Sequence, residues 1–304
     1  MTALLAFDHV SKWYGPVAAL SDVSFAVGAE IVGLVGKNGV GKSSLLKLGA
    51  GLLAPSQGRV SVCGLPAGSR AALARVGFAP DVDRLAEEVS AVRFVADLLR
   101  FHGPDRRATR DRAAAVLTEL GLGEHMHRPI REYSKGMRQR VRLAQALAHE
   151  PSLVLLDEPM TGLDPVARAE LAANLRCLPQ RGVGVLVSSH VLHELEAVAD
   201  RIVLVHQGRL LADGRVAELR ERLPAHPHRL RIRAGALREL AGRLVTSPHV
   251  LGVTLVADAI EVQVNGERAF YDELTRLGGT WQGGITELRP LDDDLASVFG
   301  YLIG

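Results

Sequence analysis

The sequence predicts an α/β fold with a mixed, mostly parallel core sheet covered on both faces, a helical subdomain and a small C-terminal α+β appendage. Three observations lead to this prediction. Apolar runs of strand length recur at 30–35, 152–156 and 183–187. Helical patterns separate these runs, and a glycine-rich loop joins the first run to a helix. Strands that alternate with helices in this way are typical of a parallel sheet.

Strand and helix signals alternate along the first 200 residues. Short apolar or alternating runs predict strands over 23–27, 30–35, 58–62, 75–78, 152–156 and 183–187. Leucine, valine or alanine at helical spacing predicts helices over 43–53, within 89–148, and over 165–178 and 191–199. The glycine-rich loop therefore lies between a strand and a helix.

We expect the chain to fold as two domains. The first covers 1–222 and includes the helical subdomain at about 89–149, and the second covers 223–304. The segment 222–228 contains two prolines, which is typical of a linker. Beyond it, the patterns predict strands over 228–232, 250–255 and 260–264, and helices over 235–244 and 267–277.

Composition excludes several classes of protein. The net charge of +2 gives no bias towards nucleic acid, so no nucleic-acid partner is expected. The two cysteines, Cys63 and Cys177, are far apart, which argues against a disulfide framework or a zinc site and fits a reducing cytoplasm. The N-terminus lacks a signal-peptide pattern, and no stretch of about 20 apolar residues is present, so no membrane-spanning segment is expected.

The glycine-rich loop has the residue types that bind phosphate. Glycines let the backbone turn tightly, so that several N–H donors converge on one phosphate. The following helix adds its N-terminal amides and the positive end of its dipole. Lys42 is expected to reach the β- and γ-phosphates, and the Ser43 hydroxyl to hold Mg²⁺. The predicted ATP site comprises Gly36, Lys37, Asn38, Gly39, Val40, Gly41, Lys42, Ser43 and Ser44.

Two carboxylates, Asp157 and Glu158, follow the apolar run 153–156. A strand beside the phosphate-loop strand would place Asp157 near Mg²⁺, at the sheet edge where open α/β folds bind ligands. Metal binding needs the ionised carboxylate, often through water. Glu158 is then a candidate to polarise the attacking water. A polar strand end is common in any protein, and it is Lys42 upstream that favours the catalytic interpretation.

Two further segments carry a resemblance to a known family. Residues 133–140, which include Ser134 and Gly136, resemble the signature motif of ABC-type ATPases and precede Asp157 by about 20 residues. Residues 162–165 are similar to the D-loop of that family, which adds Asp164 to the ATP site. The resemblance covers residues 3 to about 222 and implies an ABC-type P-loop NTPase fold.

Two single residues extend the resemblance, and two others depart from the family pattern. His190, after two serines at a strand end, resembles the switch histidine and is expected to contact the γ-phosphate and hold the attacking water. Tyr14 resembles the aromatic residue that stacks on adenine. Asp81 stands where many relatives carry Gln or Glu, and its shorter side chain would reach Mg²⁺ through water. Met160 replaces the usual Thr after Pro159.

The resemblance implies an ATP-hydrolysing motor subunit of an ABC transporter. The type-two exporter branch of the family is resembled most in two places, residues 134–140 and the acidic C-terminal segment 288–299. Members of that branch energise a separate membrane permease, which Asp81 to about Arg100 would contact. The subunit would act peripherally at the cytoplasmic face of a bacterial-type cell membrane. Two protomers would pack head to tail, so that Ser134 and Gly136 bind the ATP held by the other copy.

Other interpretations remain at this stage. Ser134 could be a plain helix N-cap, and His190 a structural histidine after a strand. Arg229, Arg231 and Arg233 share one face of a predicted strand, either as a solvated face or as a contact with anionic lipid. The whole chain could instead be a non-transport ABC regulator or resistance factor. An unrelated phosphate-loop kinase is disfavoured because it leaves Ser134, Gly136 and His190 unexplained.

Overall fold

The computed structural model describes residues 3–82, 85–103, 105–221, 227–265, 267–281, 283–291 and 300. The chain divides into two compact units, Met1–Gly214 and Arg215–Gly304. Residues 222–226 of the predicted linker, with the predicted boundary at 222, lie outside the described residues. The same holds for 292–299, which include the acidic residues of the C-terminal segment 288–299.

The elements of the first unit follow in chain order. Its strands are β1 (Leu5–Tyr14), β2 (Val17–Val27), β3 (Ile31–Val35), β4 (Gln57–Val62), β5 (Leu65–Pro66), β6 (Val76–Ala79), β7 (Leu153–Leu156), β8 (Gly184–Ser189), β9 (Arg201–His206) and β10 (Arg209–Gly214). Its helices are α1 (Lys42–Gly49), α2 (Arg70–Leu73), α3 (Ala91–Leu99), α4 (Arg106–Glu119), α5 (Lys135–Leu147), α6 (Pro165–Arg176) and α7 (Leu192–Glu196). Short 3-10 turns lie at Arg100–His102, Ile130–Glu132 and Pro179–Arg181.

The core sheet has the strand order β10-β9-β3-β8-β7-β6. All neighbours pair in parallel except β10, which runs antiparallel to β9. This arrangement confirms the predicted α/β class with a mixed, mostly parallel sheet. Strands β3, β7 and β8 are buried along their whole length, as expected for strands covered on both faces.

One expectation about this sheet is wrong. The strand that carries Asp157, β7, is not beside the phosphate-loop strand β3, because β8 lies between them and pairs with both. The carboxyl ends of β3, β8 and β7 still meet at one edge of the sheet, because the three strands are parallel. Asp157 is therefore brought to the phosphate loop across the end of β8.

A second sheet in the first unit was not predicted. It is antiparallel, with the order β2-β1-β4-β5. The runs 23–27 and 58–62 belong to it, and its strand β1 has no strand prediction at all. The alternation of β1 is interrupted by register shifts between Phe7 and Val10 and again after Val10, and His9 has a left-handed φ of 49°. Such bulges hide the two-residue period that indicates a strand.

Helix α1 is held between the two sheets. Leu45, Leu46 and Leu48 are fully buried in one cluster with Phe7 of β1 and Leu155 of β7. Each buried leucine stabilises the fold by roughly 1.5–3 kcal/mol. The helix that follows the phosphate loop is thus fixed by side chains from both sheets, which fixes the loop at its N-terminus.

The helical segment predicted at about 89–149 consists of α3, α4 and α5. Its first residues are joined to the residues just before α5. The backbone N–H of Ile130 donates to Val89 O at 3.0 Å, and Ser90 forms an isolated β-bridge with Pro129. The start of α5 is therefore tied to the chain that enters α3.

The second unit contains α8 (Val216–Glu221), β11 (His228–Ala234), α9 (Leu237–Leu244), β12 (Val250–Val256), β13 (Ala259–Val264), α10 (Glu267–Thr280) and β14 (Ile285–Pro290). From β11 onward the order of elements is βαββαβ, and the antiparallel sheet has the strand order β12-β13-β11-β14. This is the split βαβ arrangement. Its core includes Leu230, Leu240, Ile260 and Phe270, which are fully buried.

The predicted arginine run lies on β11, opposite to the core face. Arg229 and Arg231 pair with Glu261 at 3.4 and 2.6 Å, and Arg233 pairs with Glu287 at 2.8 Å. Exposed pairs of this kind contribute little to stability. Each arginine has a carboxylate partner, which favours the solvated-face interpretation over lipid binding.

Candidate active site

The phosphate loop turns from β3 into α1 through glycines that have no room for a side chain. A Cβ at Gly36 would lie 2.6 Å from both Val205 O and Val40 Cγ2. Gly41 has a φ of +110°, and a Cβ there would lie 2.6 Å from Leu20 Cδ2. Neighbouring backbone and side-chain atoms therefore leave no space for a side chain at Gly36 and Gly41, which explains why both positions are glycine.

Lys42, the first residue of α1, is 6% exposed and points back over the loop. Its Nζ donates to Gly36 O at 2.7 Å and to Lys37 O at 3.3 Å. It also lies 3.5 Å from Glu158 Oε1. A largely buried ammonium is thus held at the mouth of the loop by two carbonyls and one carboxylate.

Glu158 joins this lysine to the histidine at the end of β8. Its Oε2 lies 2.8 Å from His190 Nδ1, and the Thr161 hydroxyl donates to the same oxygen at 3.3 Å. Glu158 has a φ of 48°, in the left-handed region that a residue with a side chain adopts only at a cost. The backbone strain coincides with the point where the carboxylate turns towards Lys42 and His190.

Ser188 holds the two carboxylate residues in place. Its hydroxyl donates to Asp157 Oδ1 at 2.7 Å and accepts a hydrogen bond from the Glu158 N–H at 3.0 Å. Ser188 is fully buried and Asp157 is 4% exposed. Ser188 is the first of the two serines before His190, and no role was predicted for it. Its position at the end of a strand predicted to run parallel to β7 is the signal that could have suggested one.

A second buried network extends from the histidine segment to the D-loop. The Ser189 hydroxyl donates to Glu194 Oε2 at 2.8 Å, and Glu194 Oε1 lies 3.4 Å from Arg168 Nε. Arg168 Nη2 in turn donates to Leu163 O at 3.2 Å. Glu194 and Arg168 were missed because neither stands in a recognisable motif.

The signature segment stands apart from these groups. Ser134 is the N-cap of α5, and its Oγ accepts from the Met137 N–H at 3.3 Å. Asp164 likewise caps α6, accepting from the Ala167 N–H at 2.9 Å. Among the described residues, no hydrogen bond or ion pair joins Ser134 to Lys42. The N-cap interpretation of Ser134 is therefore correct within one copy of the chain.

The start of α5 packs against the D-loop. A Cβ at Gly162, whose φ is +70°, would lie 1.9 Å from Lys135 Nζ, and one at Gly136 would lie 3.1 Å from Ala167 Cβ. Lys135 occupies a signature position where glycine is common in the resembled family. Its ammonium covers Gly162, so the signature and the D-loop are in contact within one chain.

Comparison with known proteins decides the family. A family model described as ABC transporter matches residues 20–161. The chain is 36% identical over 226 residues to the Nod factor export ATP-binding protein I of Rhizobium etli, covering 73% of this chain and 71% of the relative. It is 33% identical over 301 residues to the uncharacterized ABC transporter ATP-binding protein YxlF of Bacillus subtilis strain 168, covering 97% and 98%. The chain belongs to the ABC transporter ATP-binding proteins.

Solved structures agree with this assignment. A structure described as the ATP binding subunit of an ABC transporter has a TM-score of 0.65 and 31% identity, covering 72% of this chain and 92% of that one. The dimeric structure of MJ0796, a bacterial ABC transporter cassette, has a TM-score of 0.63 at 24% identity, covering 69% and 98%, and shows a common fold. The chain is thus an ATP-binding, ATP-hydrolysing motor subunit of an ABC transporter.

Tyr14, Asp81 and Met160 are the other residues of this ATP-binding subunit that the sequence singled out. Tyr14 is 47% exposed, and its hydroxyl is 3.3 Å from Ser44 Oγ on α1. Lys12 Nζ lies 5.5 Å from the Tyr14 ring centroid, so one ring face has a cation near it. Asp81 is exposed just after β6, at the carboxyl edge of the core sheet. Met160 is 1% exposed. Its burial explains why the residue is apolar, but nothing in the structure explains why Met stands where the resembled family usually has Thr.

The donors at the loop fit Mg²⁺. Asp157 supplies a carboxylate and Ser43 an exposed hydroxyl at the start of α1. Mg²⁺ prefers oxygen ligands and is usually held by one or two carboxylates together with substrate phosphates and water. No cluster of three or more His, Cys, Asp or Glu that could hold a metal occurs among the described residues. A site with few protein ligands agrees with binding of the ion as a complex with ATP.

No helix in the described ranges of this ATP-binding subunit is both long and apolar enough to cross a membrane.

Proposed function

We propose that this chain is the motor of an exporter, bound at the cytoplasmic face of the cell membrane to a separate permease. The observation that carries the proposal is the linked set Lys42, Glu158 and His190 at the carboxyl edge of the core sheet. The signature serine, Ser134, lies elsewhere on the chain as the N-cap of α5. Relatives named as export ATP-binding proteins support the direction of transport.

Hydrolysis would proceed by phosphoryl transfer to water, mostly through positioning and charge stabilisation. Loop amides and Lys42 bind the phosphates of ATP. Glu158 accepts the proton of the attacking water, and His190, hydrogen-bonded to that carboxylate, positions the water beside the γ-phosphate. Mg²⁺, held by Ser43 and Asp157 and through water by Asp81, would neutralise charge on the phosphates. The Ser188 hydroxyl keeps both carboxylate residues oriented.

The signature would complete the site of a second copy. Ser134 and the N–H groups at the start of α5 form an anion-binding helix end, and within one copy they have no contact with Lys42. A head-to-tail dimer would bring Ser134 and Gly136 of each protomer to the γ-phosphate held by the other. Tyr14, beside α1, would stack on the adenine. Asp164 would act at the same interface.

An apolar groove supplies a surface for the permease. A cavity of about 590 Å³ lies beside α3, and Phe101, at 88% exposed, stands on its rim. Its lining includes Ala86, Val89, Phe94 and Leu98. Large exposed apolar side chains clustered around a concavity are typical of protein interfaces. The groove lies within the segment predicted to contact a cytoplasmic helix of the permease.

Co-purification tests the proposal. The natively expressed chain, extracted in detergent, is expected to bring an integral membrane protein with it. Phe101→Glu is expected to abolish that capture and leave basal ATP hydrolysis unchanged. Leu52→Glu, at another exposed apolar residue, is the matched control and is expected to keep the partner. Recovery of a ribosome or of proteins that are not membrane-bound, with no membrane protein, would instead support the non-transport regulator.

A further inference from the structure

The sheet of the second unit has two edges with opposite character. The outer strand β14, with the sequence ITELRP, carries Glu287, Arg289 and Pro290. Charged residues and proline on an edge strand are the usual means of preventing another strand from pairing there. The other edge strand, β12, reads VLGVTLV and contains neither a charge nor a proline. One edge of this sheet is thus protected by charges and a proline. The other is interrupted only where the pairing of β12 with β13 shifts register between Val250 and Gly252.

Strand β12 presents apolar side chains as well as a free edge. Leu251 and Leu255 are 58% and 54% exposed, and nearby Val245, after α9, is 65% exposed. Strand β13 pairs with one side of β12, and no strand of the described residues pairs with its other side. A seven-residue apolar edge of this kind is a template for strand addition.

The order of residues in β12 indicates what adds to it. Read from either end, the strand gives Val-Leu-x-Val-x-Leu-Val, with Val253 at the centre. When two copies of a strand pair antiparallel about a two-fold axis, every contact occurs twice. If residue i of the first copy faces residue j of the second, then residue j of the first copy also faces residue i of the second. About Val253, this pairing sets Leu251 against Leu255 and Val250 against Val256. The apolar order of the strand is therefore complementary to itself in the antiparallel direction.

We propose that β12 is a self-association edge, where two copies of this chain pair antiparallel about Val253 and join their C-terminal sheets into one. The joined sheet ends on both sides at the charged, proline-containing β14, so pairing stops at two copies. A closed two-fold dimer, and not a fibre, is the consequence. The proposal does not depend on the ATP-driven dimer.

The test measures association of the full chain without nucleotide. A Lys42→Ala background removes association through bound ATP, so that the outcome is independent of the proposed catalytic dimer. Sedimentation velocity over a concentration series is expected to show a monomer–dimer equilibrium. Leu251→Lys with Leu255→Lys is expected to weaken the dimer roughly tenfold or more, because like charges would face each other on paired strands. Leu288→Lys, on the opposite edge strand, is the control and is expected to leave the dimer intact.

Two outcomes would overturn the proposal. One is a Lys42→Ala chain that stays monomeric at the highest concentrations, which would mean that another part of the same chain or a different protein covers β12. The other is a dimer that survives the lysine pair. A circular dichroism spectrum and a thermal unfolding transition of the Leu251→Lys, Leu255→Lys chain that match those of the native chain show that the fold is intact.

Disulfide trapping tests the register. In a background of Cys63→Ser and Cys177→Ser, a mixture of Leu251→Cys chains with Leu255→Cys chains is expected to form cross-linked heterodimers on oxidation. Directly opposed residues on antiparallel strands have Cα atoms about 4.5–5.5 Å apart, within the range of a disulfide. In a dimer of two identical variant chains, the two introduced cysteines would lie about 13 Å apart along the strands, which is too far for a disulfide. Equal cross-linking in the mixture and in the single variants would contradict the Val253-centred pairing.

Discussion

Ser188 shows how much of the site depends on one small buried residue. Its hydroxyl bridges the side chain of Asp157 and the backbone N–H of Glu158. Removing it would leave the Glu158 N–H without its partner beside a fully buried position, at a cost of about 1–3 kcal/mol. The same loss would release Asp157 Oδ1 from its donor.

We therefore expect Ser188→Ala to lower the rate of ATP hydrolysis about tenfold or more, with a smaller effect on ATP affinity. Steady-state kinetics and equilibrium binding of ATP measure the two quantities. Ser24→Ala is the control, since Ser24 Oγ also accepts one backbone hydrogen bond, from His9, but at an exposed site on the antiparallel sheet. If Ser188→Ala and Ser24→Ala hydrolysed ATP at the same rate, Ser188 would have no role in the site.

His190 provides the second residue-scale prediction. Its Nδ1 contacts Glu158 Oε2, so His190→Ala removes the group proposed to position the attacking water. The turnover number should fall about a hundredfold or more, while ATP still binds, because the phosphate loop is unchanged. His193→Ala, a nearby exposed histidine on α7, should behave like the native chain. Normal turnover in His190→Ala would show that this histidine is structural.

At the scale of elements, the D-loop and the start of α5 pack against each other. Gly162→Ala places a methyl group where Lys135 Nζ lies. Gly64→Ala is its matched control, because Gly64 has a similar φ of +76° and open space around it. In both variants the free energy of unfolding should fall by about 1 kcal/mol, because alanine tolerates a left-handed backbone less well than glycine. Only Gly162→Ala also displaces the Lys135 ammonium from its place over the D-loop.

We accordingly expect similar melting temperatures for the two variants and a clearly lower rate of ATP hydrolysis for Gly162→Ala. Combining Gly162→Ala with Lys135→Ala should cost less activity than the sum of the two single changes, because the clash is gone. Strict additivity in this double-mutant cycle would mean that the two residues act independently.

A pair of stacked histidines joins the 3-10 turn after α3 to the start of β6. The rings of His102 and His149 are 4.2 Å apart, and His149 Nε2 lies 3.0 Å from Val76 O. Burial, followed by the proximity of His102, lowers the pKa of His149 below its ordinary value of 6.5. In the unfolded chain His149 takes up a proton at a higher pH than in the folded chain.

The stabilising contribution of the neutral His149 is therefore complete above about pH 6.5 and decreases as the pH falls towards its folded pKa. His149→Asn should lose less stability than the native chain between pH 7.5 and pH 5.5. Urea denaturation followed by circular dichroism at the two pH values measures the difference. Parallel losses in both proteins would show that other groups cause the acid destabilisation.

For the whole molecule, the proposal to test is association driven by ATP. Glu158→Gln keeps the shape of the side chain but removes the charge that would activate water, so bound ATP persists and the proposed head-to-tail dimer should accumulate. Adding Lys42→Ala should abolish this dimer, because the phosphates lose their lysine. Both proteins should also carry Leu251→Lys and Leu255→Lys, so that sedimentation reports ATP-dependent association alone. A Glu158→Gln chain that remains monomeric with ATP and Mg²⁺ would contradict the shared site.

The sequence by itself determined the family and the α/β class, and it predicted the segments that bind ATP. It could do so because the phosphate loop, the carboxylates after β7 and the signature are local patterns whose spacing carries their chemistry. The tertiary structure decided which strands are neighbours: it set β8 between β3 and β7, and so brought Ser188 to Asp157. It also gave β1 its place in a second sheet and left β12 at an unprotected edge. Strand order arises from pairing between residues far apart in the chain, which no local period encodes.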